Sequence, residues 1–206
     1  MAIELYSWPH SSGTRIAWAL EELGAPYKYV ELDAKNRDHL QPKYLAINPH
    51  GKVPTLVDDG QRFFESAAIL LHLGDKYGVA KNLWPAPGGQ ARADALSWTV
   101  WAICELMGYM IQYLYHGLDT PVSFAPPDRS KAAADYALSQ LKRQLQALET
   151  QLQERDYLFG AFSLADVAAG SVLAMGVRFG LGLENQPRTA AWCTRCTGRP
   201  AFKRAR

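Results

Sequence analysis

The chain has 206 residues, 48% of them hydrophobic and 20% charged, with a formal net charge of +2. That is enough apolar material for a real core in one domain or two small ones. It excludes the basic stripe of a nucleic-acid binder, since the only basic cluster is the tail Lys203-Arg204-Ala205-Arg206, which reads as a solvated helix end. The first residues lack a basic stretch followed by an apolar one, and no apolar run approaches the ~20 residues that span a bilayer. Neither a secretory leader nor a membrane association is therefore expected. Three cysteines are too few for a disulfide framework, which points to a reducing cytoplasm.

The opening residues alternate strand and helix patterns. Ile3 to Trp8 reads as a buried strand, Pro9 to Thr14 as a polar turn, and Arg15 to Leu23 as a helix with Ile16, Leu20 and Leu23 on one face. Gly24 supplies the C-cap and Pro26 forbids continuation. Tyr27 to Leu32 is a second strand, which makes a βαβ unit with parallel strands. A polar stretch, Asp33 to Gln41, leads to a short helical piece at Pro42 to Ala46. Thr55 to Val57 and Arg62 to Phe64 flank Asp58-Asp59-Gly60-Gln61, where Asp-Gly is a strong hairpin signal. Glu65 to Tyr77 then reads as a helix.

Gly78 to Gly89 carries Pro85, Pro87, Gly88 and Gly89, the composition of a linker. Everything beyond it looks helical: Ala91 to Leu118, Lys131 to Gln153, a third helix from Ser163, a fourth over Arg188 to Cys196 and a fifth after Pro200. The expected division is residues 1–78, a linker over 79–89, and an all-helical domain over 90–206. Cys193 and Cys196 form a CxxC in a helical context with no second ligand pair, so no metal is expected and a redox role has little support. Cys104, in an aromatic-rich segment, reads as a small core residue.

Two places carry chemistry on their own terms. Glu65-Ser66 opens a helix, whose free N–H groups and positive dipole end suit a carboxylate, while a glutamate beside them can pair with an amine. Together they would recognise a γ-glutamyl group; they also read as an ordinary helix start with Ser66 as cap. Ser163-Leu164-Ala165-Asp166 is a capping box with Phe162 and Val167 as its hydrophobic staple, a structural motif with no catalysis assigned.

Asn48-Pro49-His50-Gly51-Lys52-Val53-Pro54, then Glu65-Ser66-Ala67-Ala68-Ile69, then Phe162 to Val167, then Arg199-Pro200-Ala201-Phe202 resemble the cytosolic glutathione S-transferase family, in order and spacing, over essentially the whole chain. The resemblance is to the bacterial, theta- and delta-like serine type. It implies an α/β thioredoxin-like N-terminal domain that binds glutathione, joined to an all-α C-terminal domain. It also implies a cis Val53-Pro54 bond that lets Val53 present its N–H and C=O to an extended peptide. No cofactor is implied; glutathione is a co-substrate.

By the same resemblance the catalytic hydroxyl belongs to Ser11, four residues before Arg15, with Ser12, His10 and Tyr6 as alternatives. Its task is to stabilise a thiolate whose free thiol titrates near ~8.5. His39, fourteen residues before Val53, maps to a histidine that contacts the glycine end of glutathione, and Lys52 would serve the same carboxylate. A hydrophobic electrophile would meet the aromatic stretch from Ala91 to Leu118 through Tyr109 and Tyr113. The implied protein is a homodimeric glutathione transferase. A glutathione-dependent peroxidase, reductase or dehalogenase, and a non-catalytic glutathione-binding stress or carrier protein, are the alternatives.

Overall fold

The computed structural model describes residues 3–205; Arg206, the last of the basic tail, lies outside them. The elements run β1 (Ile3–Ser7), α1 (Gly13–Leu23), β2 (Tyr27–Glu31), α2 (Pro42–Leu45), β3 (Thr55–Asp58), β4 (Gln61–Phe64) and α3 (Ser66–Leu73). Then follow α4 (Gly89–Trp101), α5 (Met107–Gly117), α6 (Lys131–Gln151), α7 (Leu164–Arg178), α8 (Pro187–Gly198) and α9 (Pro200–Arg204). Two compact units emerge, Met1–Ala95 with Arg199–Arg206, and Leu96–Gly198.

In the first unit a four-stranded sheet has the order β2-β1-β3-β4. β1 pairs with β2 in parallel and with β3 antiparallel, and β3 turns into β4. This is the thioredoxin-like arrangement. Alternation in β1 sends Ile3, Leu5 and Ser7 to a buried face. The β3–β4 connection is the two-residue turn Asp59-Gly60, both with positive φ (49° and 81°), as an Asp-Gly hairpin requires. Gly24 ends α1 in the left-handed conformation, its N–H returning to Leu20 and Glu21.

The Arg199-Pro200-Ala201-Phe202 ending docks on α1. Arg199 grips Glu22 through two bonds of 2.6 and 2.7 Å, Trp18 Nε1 donates to the same carboxylate at 2.9 Å, and Phe202 sits edge-on to Trp18. The bidentate fork holds the last helix against the first with fixed geometry.

Asp58, at the end of β3, is buried beneath His72 (2.7 Å), Lys76 (2.9 Å) and Tyr77 (2.9 Å). Burial pushes its carboxyl up, but the hydrogen bonds from Lys76, His72 and Tyr77 outweigh burial and hold it below the usual value.

The second unit is helical, and its helices carry two long-range polar devices. Asp166 closes the capping box of α7, accepting from the N–H and hydroxyl of Ser163 at 2.9 Å each. It also accepts from Leu158 N–H (2.9 Å) and Trp192 Nε1 (2.8 Å), so one carboxylate ties a loop, α7 and α8 together. Glu149 of α6 caps α8 from a distance: Arg188 N–H and Thr189 N–H donate to its two oxygens at 3.0 and 2.8 Å.

The expected single helix over Ala91 to Leu118 is divided. A π-turn at Ala102–Leu106 separates α4 from α5. One extra residue resets the helical phase, so Ala102 and Leu106 are buried while Cys104 faces outward. The expectation that Cys104 lies in the core is corrected on this ground. Cys193 and Cys196 are buried free thiols, and burial pushes Cys193 up to about 11, which makes it inert rather than reactive. Among the described residues no group of His, Cys, Asp and Glu could hold a metal ion, and no helix is long and apolar enough to cross a membrane.

Two stability predictions arise here. Asp166→Ala strands the Leu158 and Ser163 N–H groups and the Trp192 indole, and should lower the unfolding free energy by about 3 kcal/mol or more in urea titrations. A depressed carboxyl such as that of Asp58 contributes stability above its unfolded pKa of about 4 and loses it as pH falls through the lower, folded value. Unfolding free energy should therefore fall more steeply with acid in the wild type than in Asp58→Asn, measured by urea titrations from pH 5 downward.

Candidate active site

The sheet register brings separate motifs to one end. Tyr6 pairs with Thr55, Thr55 with Phe64, and Ser7 with Glu31. The loops that leave β1 and β2, the loop that enters β3 and the start of α3 after β4 therefore share that end. Ligand sites of α/β folds form where loops gather at such strand ends.

After β1 the chain turns sharply at His10, which is exposed and has a φ of 62°. Ser11 Oγ donates to the Trp8 carbonyl at 2.7 Å, lies 2.8 Å from Ser7 Oγ and receives Gly13 N–H at 3.1 Å. Ser12 stands at the N-cap of α1, and its hydroxyl has no hydrogen-bond partner among the described residues. Tyr6 points to the other face of β1, where its hydroxyl donates to Glu4 at 2.8 Å. Burial and that bond push the phenol up to about 12, the opposite of what activating a thiol demands.

The β3 entry is held by a polar clasp. Tyr44 donates to the Lys52 carbonyl at 2.6 Å and Asn48 Nδ2 to the same oxygen at 2.7 Å. Thr55 Oγ1 lies 2.8 Å from the Tyr44 hydroxyl and accepts from Asn48 at 3.1 Å. Within this clasp the Val53–Pro54 peptide bond is cis, Pro54 is buried and the Lys52 side chain is exposed. Gly51 closes the turn with a φ of 59°, and a Cβ there would meet Leu40 at 2.7 Å.

At the start of α3, Glu65 has φ 67° and ψ 117°, a conformation that costs a non-glycine residue about 1–3 kcal/mol. Its side chain is exposed, whereas Ser66 is 6% exposed and receives a hydrogen bond from Arg15 Nη1 at 3.0 Å. Arg15 is itself buried; burial pulls its guanidinium down to about 10, so it stays charged at neutral pH. A positive charge thus backs the N-terminal end of α3, adding to the helix dipole.

His39 follows a turn built by two aspartates. Asp33 accepts from Lys35 and Asn36 N–H groups, and Asp38 accepts from Asp33 N–H and the Asn36 amide. The His39 ring lies edge-on to Trp8 at 5.2 Å, and its buried Nδ1 has no hydrogen-bond partner among the described residues. A cleft of about 530 Å³ opens alongside, bounded by Trp8 and residues 31–35 and 38.

A family model described as "Glutathione S-transferase, N-terminal domain" matches residues 1–75, and "Glutathione S-transferase, C-terminal domain" matches 111–200. The chain belongs to the glutathione S-transferase family. Its relatives include glutathione S-transferase theta-1 of Rattus norvegicus, 33% identical over 95% of this chain and 82% of that one. The disulfide-bond oxidoreductase YfcG of Escherichia coli (strain K12) is 29% identical, over 98% and 94%. The crystal structure of the glutathione transferase URE2P8 from Phanerochaete chrysosporium with oxidized glutathione superposes with a TM-score of 0.86, at 26% identity, over 98% of this chain and 92% of that one.

In this family member Tyr109 and Tyr113 lie on α5, in the second unit. Both are half-buried; Tyr109 meets Tyr136 edge-on at 6.2 Å, and Tyr113 packs so closely on Gly117 that a Cβ there would lie 2.6 Å away. Sequence reasoning overlooked Ser7, Tyr44 and Asn48 as supports of the site. Asn48 stood inside the quoted motif, and its buried amide is the reason for it. Ser7 had no such signal.

The strained Glu65 yields a prediction. Glu65→Gly relieves the positive φ and should raise the unfolding free energy by about 1 kcal/mol while weakening retention on a glutathione resin several-fold. Thermal melts and column binding read the two effects separately.

Proposed function

We propose that this protein is a glutathione transferase that holds glutathione as a thiolate and directs it at a hydrophobic electrophile. The observation that carries the reading is the convergence on one sheet end of a hydroxyl at the α1 N-terminus, the Val53-Pro54 strand entry and the Glu65-Ser66 helix start. The γ-glutamyl carboxylate would take the α3 N-terminus and Ser66, backed by the Arg15 charge, and Glu65 would pair with its amine. Val53 would bond the peptide as an added strand, and His39 and Lys52 would hold the glycine carboxylate. The cysteinyl sulfur would then face the start of α1. Free glutathione's thiol titrates near ~8.5, so lowering it by ~2 units asks for ~2.7 kcal/mol, which a donated hydrogen bond and a helix dipole can supply together. Ser11 is the proposed donor. Ser12 is the second reading, favoured by its uncommitted hydroxyl.

The electrophile would pack on Tyr109 and Tyr113, so that residues 1–78 serve glutathione, 79–89 link and 90–206 serve the second substrate. The catalytic unit is a homodimer in a reducing cytoplasm, where all three cysteines stay free. A second chemistry keeps the same thiolate and changes its target to a disulfide or hydroperoxide. It is favoured by the relative named a disulfide-bond oxidoreductase. Residues 9–14 hold no cysteine, so glutathione itself would have to supply every thiol.

The thiolate absorbance of bound glutathione, followed across pH, tests the assignment. Ser11→Ala should raise the midpoint by about one unit or more, and Ser12→Ala by less. An unshifted Ser11→Ala with a shifted Ser12→Ala transfers the role to Ser12. Turnover of an aryl halide but not of a hydroperoxide separates transferase from peroxidase. Retention of glutathione with neither activity would make the protein a binder. Sedimentation should give about twice the 22.9 kDa chain mass.

A further inference from the structure

The β1–α1 junction contains a serine that the proposed chemistry does not use. Ser7 ends β1 fully buried, with its Oγ 2.8 Å from Ser11 Oγ. Proton counting gives that bond its direction. A hydroxyl has one proton to donate and two lone pairs to accept with. Ser11 spends its proton on the Trp8 carbonyl at 2.7 Å, so the proton between the two serines is Ser7's. The other acceptor of the Ser7 proton, the same Trp8 carbonyl, lies farther away at 3.4 Å. Gly13 N–H also donates to Ser11 Oγ, at 3.1 Å. Both lone pairs of the Ser11 oxygen are therefore occupied, and a ligand can be offered only its proton, in exchange for the bond to the Trp8 carbonyl.

Gly13 makes room for this arrangement. A Cβ on residue 13 would lie 1.9 Å from Ser7 Oγ and 2.5 Å from Ser7 Cβ. Its backbone is not in the left-handed region, so the requirement for glycine comes from the close approach of the Ser7 hydroxyl and not from conformation.

We infer that Ser7 is a positioning residue for thiolate stabilisation: it fixes the Ser11 oxygen and makes the Ser11 hydroxyl a donor only. The inference rests on the reading in which Ser11 faces the glutathione sulfur. Two donors onto one oxygen polarise its O–H, and linked hydrogen bonds strengthen one another. An anionic sulfur then competes for the Ser11 proton against a neutral carbonyl, and the charge-assisted bond is the stronger. An oxygen with both lone pairs taken cannot be the base that receives the thiol proton. The S–H bond breaks, its electron pair stays on sulfur, the proton leaves to solvent, and Ser11 keeps its own. The serine pair lowers the thiol's pKa without itself titrating.

The experiment follows thiolate absorbance of bound glutathione against pH in wild type, Ser7→Ala, Ser7→Cys and Ser11→Ala, with the KM for glutathione and a thermal melt of each. Ser7→Ala should raise the midpoint by about half to one pH unit, the worth of one hydrogen bond, with KM for glutathione within about twofold. Ser7→Cys keeps a weak donor and should fall between wild type and Ser7→Ala. Midpoints equal to wild type in both Ser7 variants while Ser11→Ala shifts would overturn the role of Ser7 and leave the Ser11 reading standing. Midpoints unmoved in all three variants overturn the Ser11 reading itself. A lowered melting temperature with an unmoved midpoint makes Ser7 merely structural and counts against the inference.

Discussion

The pairing of β1 with β3 is the constraint on which the rest of the first unit depends. Tyr6 opposite Thr55 and Leu5 opposite Leu56 set where every loop at that sheet end emerges. A slip of one residue would turn Leu5 and Ser7 outward and bring Tyr6 into the core. The serines after β1 and the loop entering β3 would then no longer share an end. Because β4 follows β3 by a two-residue turn, the start of α3 is carried to the same place by the same register.

Buried polar groups make that register specific. Asn48, Thr55 and Tyr44 are nearly inaccessible, and each is hydrogen-bonded within the clasp on the Lys52 carbonyl. Ser7 and Asp58 are equally buried and equally partnered. A buried donor or acceptor without a partner costs about 1–3 kcal/mol, so any alternative packing that separates these groups is disfavoured several times over. The second unit uses the same logic at Asp166 and Glu149, where single carboxylates satisfy N–H groups from segments far apart in the chain.

The charges around the proposed site complement an anionic tripeptide. Arg15 stays charged although buried, and it reaches Ser66 at the start of α3, where helix N–H groups already point outward. Glu65 is held at positive φ beside them, the kind of local strain that persists where surrounding structure over-determines it. At the start of α1 the Ser11 oxygen already accepts from Gly13 N–H and its proton goes to the neutral Trp8 carbonyl, a bond that an anion can compete for better than a neutral thiol can. In the proposed function, binding and thiol activation are two demands on one end of one sheet, assigned to different helices.

Much of this was legible in the residues themselves. Period-two and helical-period patterns located the strands and helices, Asp59-Gly60 declared its hairpin, Gly24 its helix end and Ser163 to Asp166 its capping box, because each is settled by neighbours a few positions away. The family motifs placed Val53-Pro54 and Glu65-Ser66 in order along the chain. Tertiary structure alone decided the rest. It committed the Ser11 hydroxyl and left that of Ser12 uncommitted, gave Asp166 two partners beyond its own motif, let Glu149 cap a distant helix, and turned Cys104 outward through a π-turn. Each of those outcomes depends on which residues from distant parts of the chain meet, and no local pattern records that.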